Sequence, residues 1–97
     1  MIVGIIGSGG REHAICYKIK KSNLTTKIFC IPGNAGTSNI AENVNIKVND
    51  FKSIKNFCLN NKIELLIVGP EQPLVDGIVD YFENTTIKIF GPNKLYS

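Results

Sequence analysis

The sequence has no tryptophan, one methionine, one histidine and a single arginine among its eleven Lys and Arg residues. It also lacks a long apolar run. Nothing in it approaches the roughly 18 consecutive apolar residues of a membrane-spanning helix, and no cationic start precedes a short apolar segment with a small-residue cleavage site. A membrane partner is therefore not expected, and the chain reads as cytoplasmic. Cysteine is scarce and unpatterned: Cys16, Cys30 and Cys58 give an odd total without C-x-x-C spacing, which argues against a disulfide framework or a zinc site. Each sits at an apolar position of a different expected element with no His/Asp partner set around it, so the three read as buried free thiols in a reducing compartment. Charge is not blocked either. Lys+Arg exceed Asp+Glu by 11 to 8, but the lysines scatter from Lys18 to Lys94, so no nucleic-acid footprint is expected.

The two scarcest polar residues stand together. Arg11 and His13 both lie in Gly7-Ser8-Gly9-Gly10-Arg11-Glu12-His13, directly after the apolar run Met1 to Ile6. Glycines let a chain turn sharply out of a strand, and the first N–H groups of the helix that follows point outward with partial positive charge. A lone planar guanidinium where lysine serves everywhere else suggests a specific oxyanion partner. The segment reads as a phosphate grip; the alternative is a tight strand-to-helix turn without a ligand. Glu12 reads equally as helix N-terminal electrostatics and His13 as a satisfied first-turn histidine, and neither is assigned catalysis.

The rest of the chain alternates. Met1 to Ile6 reads as a central buried strand, and Arg11 to Lys21 as a helix with Ala14, Ile15 and Ile19 at helical spacing. Lys27 to Ile31 reads as a second strand ending in the loop Pro32-Gly33-Asn34-Ala35-Gly36-Thr37, and Asn45 to Val48 as a weak third strand. Asn49 or Asp50 can cap a helix carrying Phe51, Ile54, Phe57 and Cys58 on one face. Glu64 to Val68 reads as a fourth strand closed by Gly69-Pro70, followed by one helix with Val75, Ile78, Val79 and Phe82, and then a fifth strand, Ile87 to Phe90. This order predicts one α/β domain: a doubly wound, Rossmann-like parallel sheet of about five strands with helices on both faces, its three glycine-bearing loops sharing one edge. Asn93 to Ser97 looks like the opening of another helix, so the chain is expected to be part of something longer.

Two nucleotide-binding signatures fail. In G-x-G-x-x-G/A the third small residue would fall at Glu12, a bulky acid where helix and strand pack closely, and the acid expected about 20 positions later is missing because no Asp or Glu lies between Glu12 and Glu42. No Gly-Lys-Ser/Thr follows the glycines, which excludes a Walker loop. What remains is a grip for one phosphate of modest affinity.

Three segments taken together, Gly7 to Ala14, Pro32 to Thr37 and Gly69-Pro70-Glu71-Gln72-Pro73-Leu74, resemble the amino-terminal domain of the phosphoribosylamine–glycine ligase (glycinamide ribonucleotide synthetase) family. Glu42-Asn43-Val44, Asp50-Phe51 and Ile89-Phe90-Gly91-Pro92 extend the likeness over nearly the whole chain. The resemblance implies a pre-ATP-grasp domain of an enzyme of purine biosynthesis, one that joins glycine to 5-phosphoribosylamine to give glycinamide ribonucleotide. It also implies that ATP and magnesium or manganese are bound mainly outside this chain, by ATP-grasp and C-terminal domains of the same protein, and that these residues alone do not catalyse. Carried over by position, Gly9, Gly10 and Arg11, with Glu12, would face the sugar phosphate. Gly33, Asn34, Gly36 and Thr37 would line the adjoining wall, and Pro70 and Glu71 would reach the ribose hydroxyls. No catalytic residue or metal ligand is implied here. An apolar patch is expected where the rest of the enzyme packs. The rival reading is a stand-alone nucleotide or sugar-phosphate binding module.

Overall fold

The computed structural model describes residues 1–91, and the helix expected from Asn93 to Ser97 lies outside them. The elements follow as β1 (Ile2–Gly7), α1 (Gly10–Lys20), β2 (Lys27–Pro32), a 3-10 turn (Thr37–Asn39), β3 (Glu42–Asn43), α2 (Phe51–Asn60), β4 (Leu65–Val68), α3 (Glu71–Val75), α4 (Ile78–Tyr81) and β5 (Lys88–Phe90). All pairings are parallel, in the order β3-β2-β1-β4-β5. This is the doubly wound α/β architecture that the alternation of strands and helices predicts. The order reverses direction at β1, between β2 on one side and β4 on the other, so the loops leaving β1 and β4 diverge at the switch point where such sheets carry their ligands.

Because successive side chains of a strand point to opposite faces, the apolar strands serve two cores. Val3 and Ile5 of β1, Ile28 and Cys30 of β2 and Ile67 of β4 pack with Ile15 and Cys16 of α1. Ile6, Phe29, Ile31, Leu66 and Val68 face the other way, onto Phe51, Ile54 and Cys58 of α2 and Ile78 and Phe82. A sheet covered on both sides has no solvent face to alternate toward. That is why its strands read as continuous apolar runs.

α2 begins as its sequence predicts: Asp50 is the N-cap, its carboxylate accepting the Ser53 N–H at 3.2 Å. Three expectations change. Residues 45–48 form no strand; β3 lies earlier, at Glu42–Asn43, paired with Phe29 and Cys30. The alternation of Val44, Ile46 and Val48 instead lays their side chains against the core without a ladder. In α1 Ile15 is buried and Ile19 packs partly buried against the same core as expected, but Ala14 is exposed and the other buried positions are Glu12 and Cys16. The single helix expected after Pro70 is two, broken at Gly77, whose left-handed φ of 92° interrupts the helical hydrogen bonds. The break turns Val75 (77% exposed) and Val79 (49%) outward, while Ile78 and Phe82 stay buried. All three cysteines are buried free thiols as expected. Burial pushes the Cys30 and Cys58 thiols up to about 12 and raises that of Cys16.

Candidate functional site

The sheet register delivers three loops to one place. Gly7 stands opposite Pro32 and Ile6 opposite Val68, so the chain leaves β1, β2 and β4 at nearly the same level. The first loop residues remain bonded to their neighbours: Gly33 N–H donates to Gly7 O and Gly69 N–H to Ile6 O, both at 3.0 Å.

Side chains then tie the loops together. The Arg11 guanidinium donates to Gly69 O, linking the start of α1 to the loop after β4. The Asn34 amide, from the loop after β2, donates to Ser8 O at 2.8 Å and to Gly9 O at 3.3 Å. Asn34 is itself held: its Oδ1 accepts Thr37 N–H at 2.9 Å, its own N–H donates to Thr37 Oγ1 at 2.8 Å, and its carbonyl accepts from Asn43 Nδ2 at 2.8 Å. The Thr37 hydroxyl, 1% exposed, closes the network on Asn43 Oδ1 at 2.7 Å.

Glu12 occupies the middle. It is buried, its Oε1 accepts Gly9 N–H at 3.3 Å, and its Oε2 lies 3.8 Å from Arg11 Nε. A Cβ at Gly7 would lie 2.2 Å from this carboxylate and one at Gly69 would lie 2.6 Å from its Cδ. The bulky acid that spoils the dinucleotide fingerprint is thus accommodated by glycines on two neighbouring strands' loops. His13 similarly fills the space beside Gly36, where a Cβ would come within 2.8 Å of its ring.

Gly9 and Gly10 differ from these. Gly9 has an extended backbone (φ −92°, ψ 179°), and a Cβ there would make only ordinary contact, 3.6 Å from Glu12. A Cβ at Gly10, which opens α1 in right-handed helical conformation, would meet nothing within 4 Å. Both are exposed. Neither the turn nor the interior of the domain requires glycine at either position. The first helical bond is His13 N–H to Gly9 O at 3.1 Å, which leaves the N–H groups of Gly10, Arg11 and Glu12 at the helix end ahead of it.

The remaining candidates complete the edge. Pro70 is the N-cap of α3, and Glu71 is exposed at that helix's first position. Asn43, which sequence reasoning did not single out, braces the second loop from the edge strand, and nothing in its local sequence signals that role. A concavity of about 510 Å3 lies elsewhere, beside the starts of β1 and β4 and along β5, lined by Met1, Glu64, Leu65, Thr86, Lys88 and Phe90. Its polar groups are Glu64, Thr86, Lys88 and the amino terminus at Met1, the last donating to Leu24 O at 2.7 Å. The three-loop edge differs in bringing together a helix N-terminus, a guanidinium and a carboxylate. Among the described residues no cluster of three His, Cys, Asp or Glu side chains could hold a metal, and no helix is long and apolar enough to cross a membrane.

The family model described as phosphoribosylglycinamide synthetase, N domain, matches residues 1–97. A phosphoribosylamine–glycine ligase of Caldanaerobacter subterraneus is 56% identical over 94 residues, 97% of this chain and 22% of that protein. The enzymes of the same name from Haemophilus influenzae and Escherichia coli are each 50% identical, over 97% and 95% of this chain respectively. The chain spans less than a quarter of the length of these relatives, 22% in each. With the whole sequence matched and half of its residues shared with enzymes of one name, this chain belongs to the phosphoribosylglycinamide synthetase N-domain family.

Proposed function

We propose that the three-loop edge forms one wall of a pocket for 5-phosphoribosylamine and glycinamide ribonucleotide, within a longer ligase that joins glycine to the sugar-phosphate amine in purine biosynthesis in the cytoplasm. Gly10 and Arg11 N–H donate to the 5-phosphate at the end of α1, and the Arg11 guanidinium, its side chain 52% exposed, adds positive charge beside them. Glu71, which makes no hydrogen bond or ion pair among the described residues, accepts from neighbouring ribose hydroxyls. Gly33 and Gly36 form the adjoining wall, which Asn34 and the buried Thr37 brace from within the protein. The observation that carries the reading is the pair Gly9-Gly10, two glycines that the fold does not require, at an exposed helix end on the switch-point edge.

In the reaction proposed for the whole protein, ATP with magnesium or manganese would activate glycine as an acyl phosphate, and the amine of phosphoribosylamine would bond to the acyl carbon as inorganic phosphate leaves, forming the amide. The family resemblance implies that ATP and metal bind in ATP-grasp and C-terminal segments of the longer protein. This domain's part is to bind and orient the sugar phosphate. Charge-assisted hydrogen bonds contribute about 1.5 to 3 kcal/mol each before the entropy of association is subtracted, so a phosphate ester alone binds at roughly millimolar strength.

The test is an NMR titration with ribose 5-phosphate. The Gly9, Gly10 and Arg11 amides shift, Arg11→Ala removes most of the response, and Arg11→Lys retains part of it through its charge. Unmoved loop amides at tens of millimolar ligand would refute the reading.

A further inference from the structure

We infer that Asn34 is a positioning residue for the phosphate site: it fixes the two peptide planes that turn Gly9 N–H onto Glu12 and Gly10 N–H away from the loop after β2, and it does not touch the ligand. The inference rests on the phosphate reading above and assigns Asn34 a role other than lining.

The orientation of the Asn34 amide follows from its partners. Thr37 N–H can only donate, so the Asn34 atom that faces it at 2.9 Å is the oxygen. The atom facing Ser8 O and Gly9 O must then be Nδ2, which satisfies two carbonyls with its two hydrogens. In a trans peptide the C=O and N–H point in opposite directions. Drawing Ser8 O toward Asn34 turns Gly9 N–H away from it, onto Glu12 Oε1 at 3.3 Å. Drawing Gly9 O the same way turns Gly10 N–H away from Asn34; Gly10 is exposed and its N–H has no hydrogen-bond partner among the described residues. Gly9 O also holds His13 N–H, but Ser8 O has Asn34 as its only hydrogen-bond donor among the described residues. Thr37 N–H holds the Asn34 side chain through its Oδ1, while the hydroxyl of the buried Thr37 and the Asn43 amide hold the Asn34 backbone. Both Asn34 side-chain ends are committed inside the protein, and the polar group left facing outward is the backbone that it orients.

Asn34→Asp is nearly isosteric and keeps the acceptor for Thr37 N–H, yet it sets a carboxylate oxygen against the carbonyls of Ser8 and Gly9. In the full chain, with phosphoribosylamine as the varied substrate, this variant raises KM at least tenfold and leaves KM for ATP and for glycine unchanged. Gly10→Ala, which blocks the site directly, raises the same KM. The double variant is no worse than Gly10→Ala alone, because a mis-aimed donor costs nothing once its ligand is excluded. Multiplicative effects of the two substitutions, or a rise in all three KM values together, overturn the positioning role. An inert Gly10→Ala refutes the phosphate reading instead, and an effective Gly10→Ala with an inert Asn34→Asp refutes the positioning role alone. Should Asn34→Asp not fold, the wild-type protein decides by NMR. On addition of ribose 5-phosphate the Asn34 Nδ2 resonances hold while Gly10 N–H moves; equal shifts show direct contact and overturn the proposal.

Discussion

Replacing Gly10 by alanine separates what the fold needs from what a ligand needs. The new methyl group enters open space, and the position is already helical. An alanine that fits its native conformation stabilises a protein by about 0.4 to 1 kcal/mol, chiefly by restricting the unfolded chain. For a domain of this size 1 kcal/mol corresponds to about 4 to 8 °C in Tm, so Gly10→Ala should raise Tm by roughly 2 to 8 °C. The same methyl group stands where the phosphate would approach, and ribose 5-phosphate should bind at least tenfold more weakly, a loss of about 1.4 kcal/mol. Gly69→Ala is the control with opposite sign. Its methyl group would lie 2.6 Å from Glu12 Cδ and 2.9 Å from Oε2. That carboxylate is buried, packs over Gly7 of the next strand and accepts Gly9 N–H at 3.3 Å, so moving it aside breaks that contact and that bond. Overpacking of this kind costs about 1 to 3 kcal/mol, so Tm falls by at least about 4 °C. Thermal melts followed by circular dichroism and NMR titrations with ribose 5-phosphate measure both quantities. A Gly10→Ala variant as destabilised as Gly69→Ala would show that the fold does require this glycine. A stabilised one that still binds normally would show that the open space is not ligand space.

Three other outcomes follow from the core. Cys30 and Cys58 hold their protons to about 12 in the folded chain against an ordinary 9.0. Stability is therefore level below about pH 9 and falls as pH rises from there toward 12, by at most about 1.4 kcal/mol per pH unit per thiol. Urea midpoints between about pH 8 and 10.5 should decline, less steeply in Cys58→Ala, and a flat profile would contradict the assigned burial. Ile54→Ala empties a fully buried position on α2 and should cost about 2 to 5 kcal/mol in urea unfolding; less than 1 would mean that the α2 core collapses around the gap. Asp50→Ala removes the α2 cap and should cost about 0.5 to 2 kcal/mol, with Asp50→Asn restoring most of it.

The fold was legible because its signals were local. Short β-branched runs ended by glycine located β1, β2 and β4, and an Asp ahead of Phe51 and Ile54 located α2. Where tertiary packing decides, the sequence misled. Val44, Ile46 and Val48 alternate as a strand would, yet that segment packs without a ladder while β3 forms at two polar residues beside β2. Val75 and Val79 share a helical period with Ile78 and Phe82, and the left-handed Gly77 puts them on different faces. The candidate site was legible as three loops with glycine. The reasons for individual residues were not, because Glu12 is explained by Gly69, 57 residues away, and Asn34 by a threonine and an edge-strand asparagine.

Glu12 has one consequence for how such sequences can vary. Its side chain fills notches left by Gly7 and Gly69, so the three positions share a fixed volume. A small residue at the helix position with a side chain at position 69 is the complementary way to fill it, while the φ of 135° keeps glycine at position 7 whatever the space. In a library randomised at positions 12 and 69, the folded members should be those whose summed size is constant. No single substitution connects the two solutions without either a void or a clash on the way.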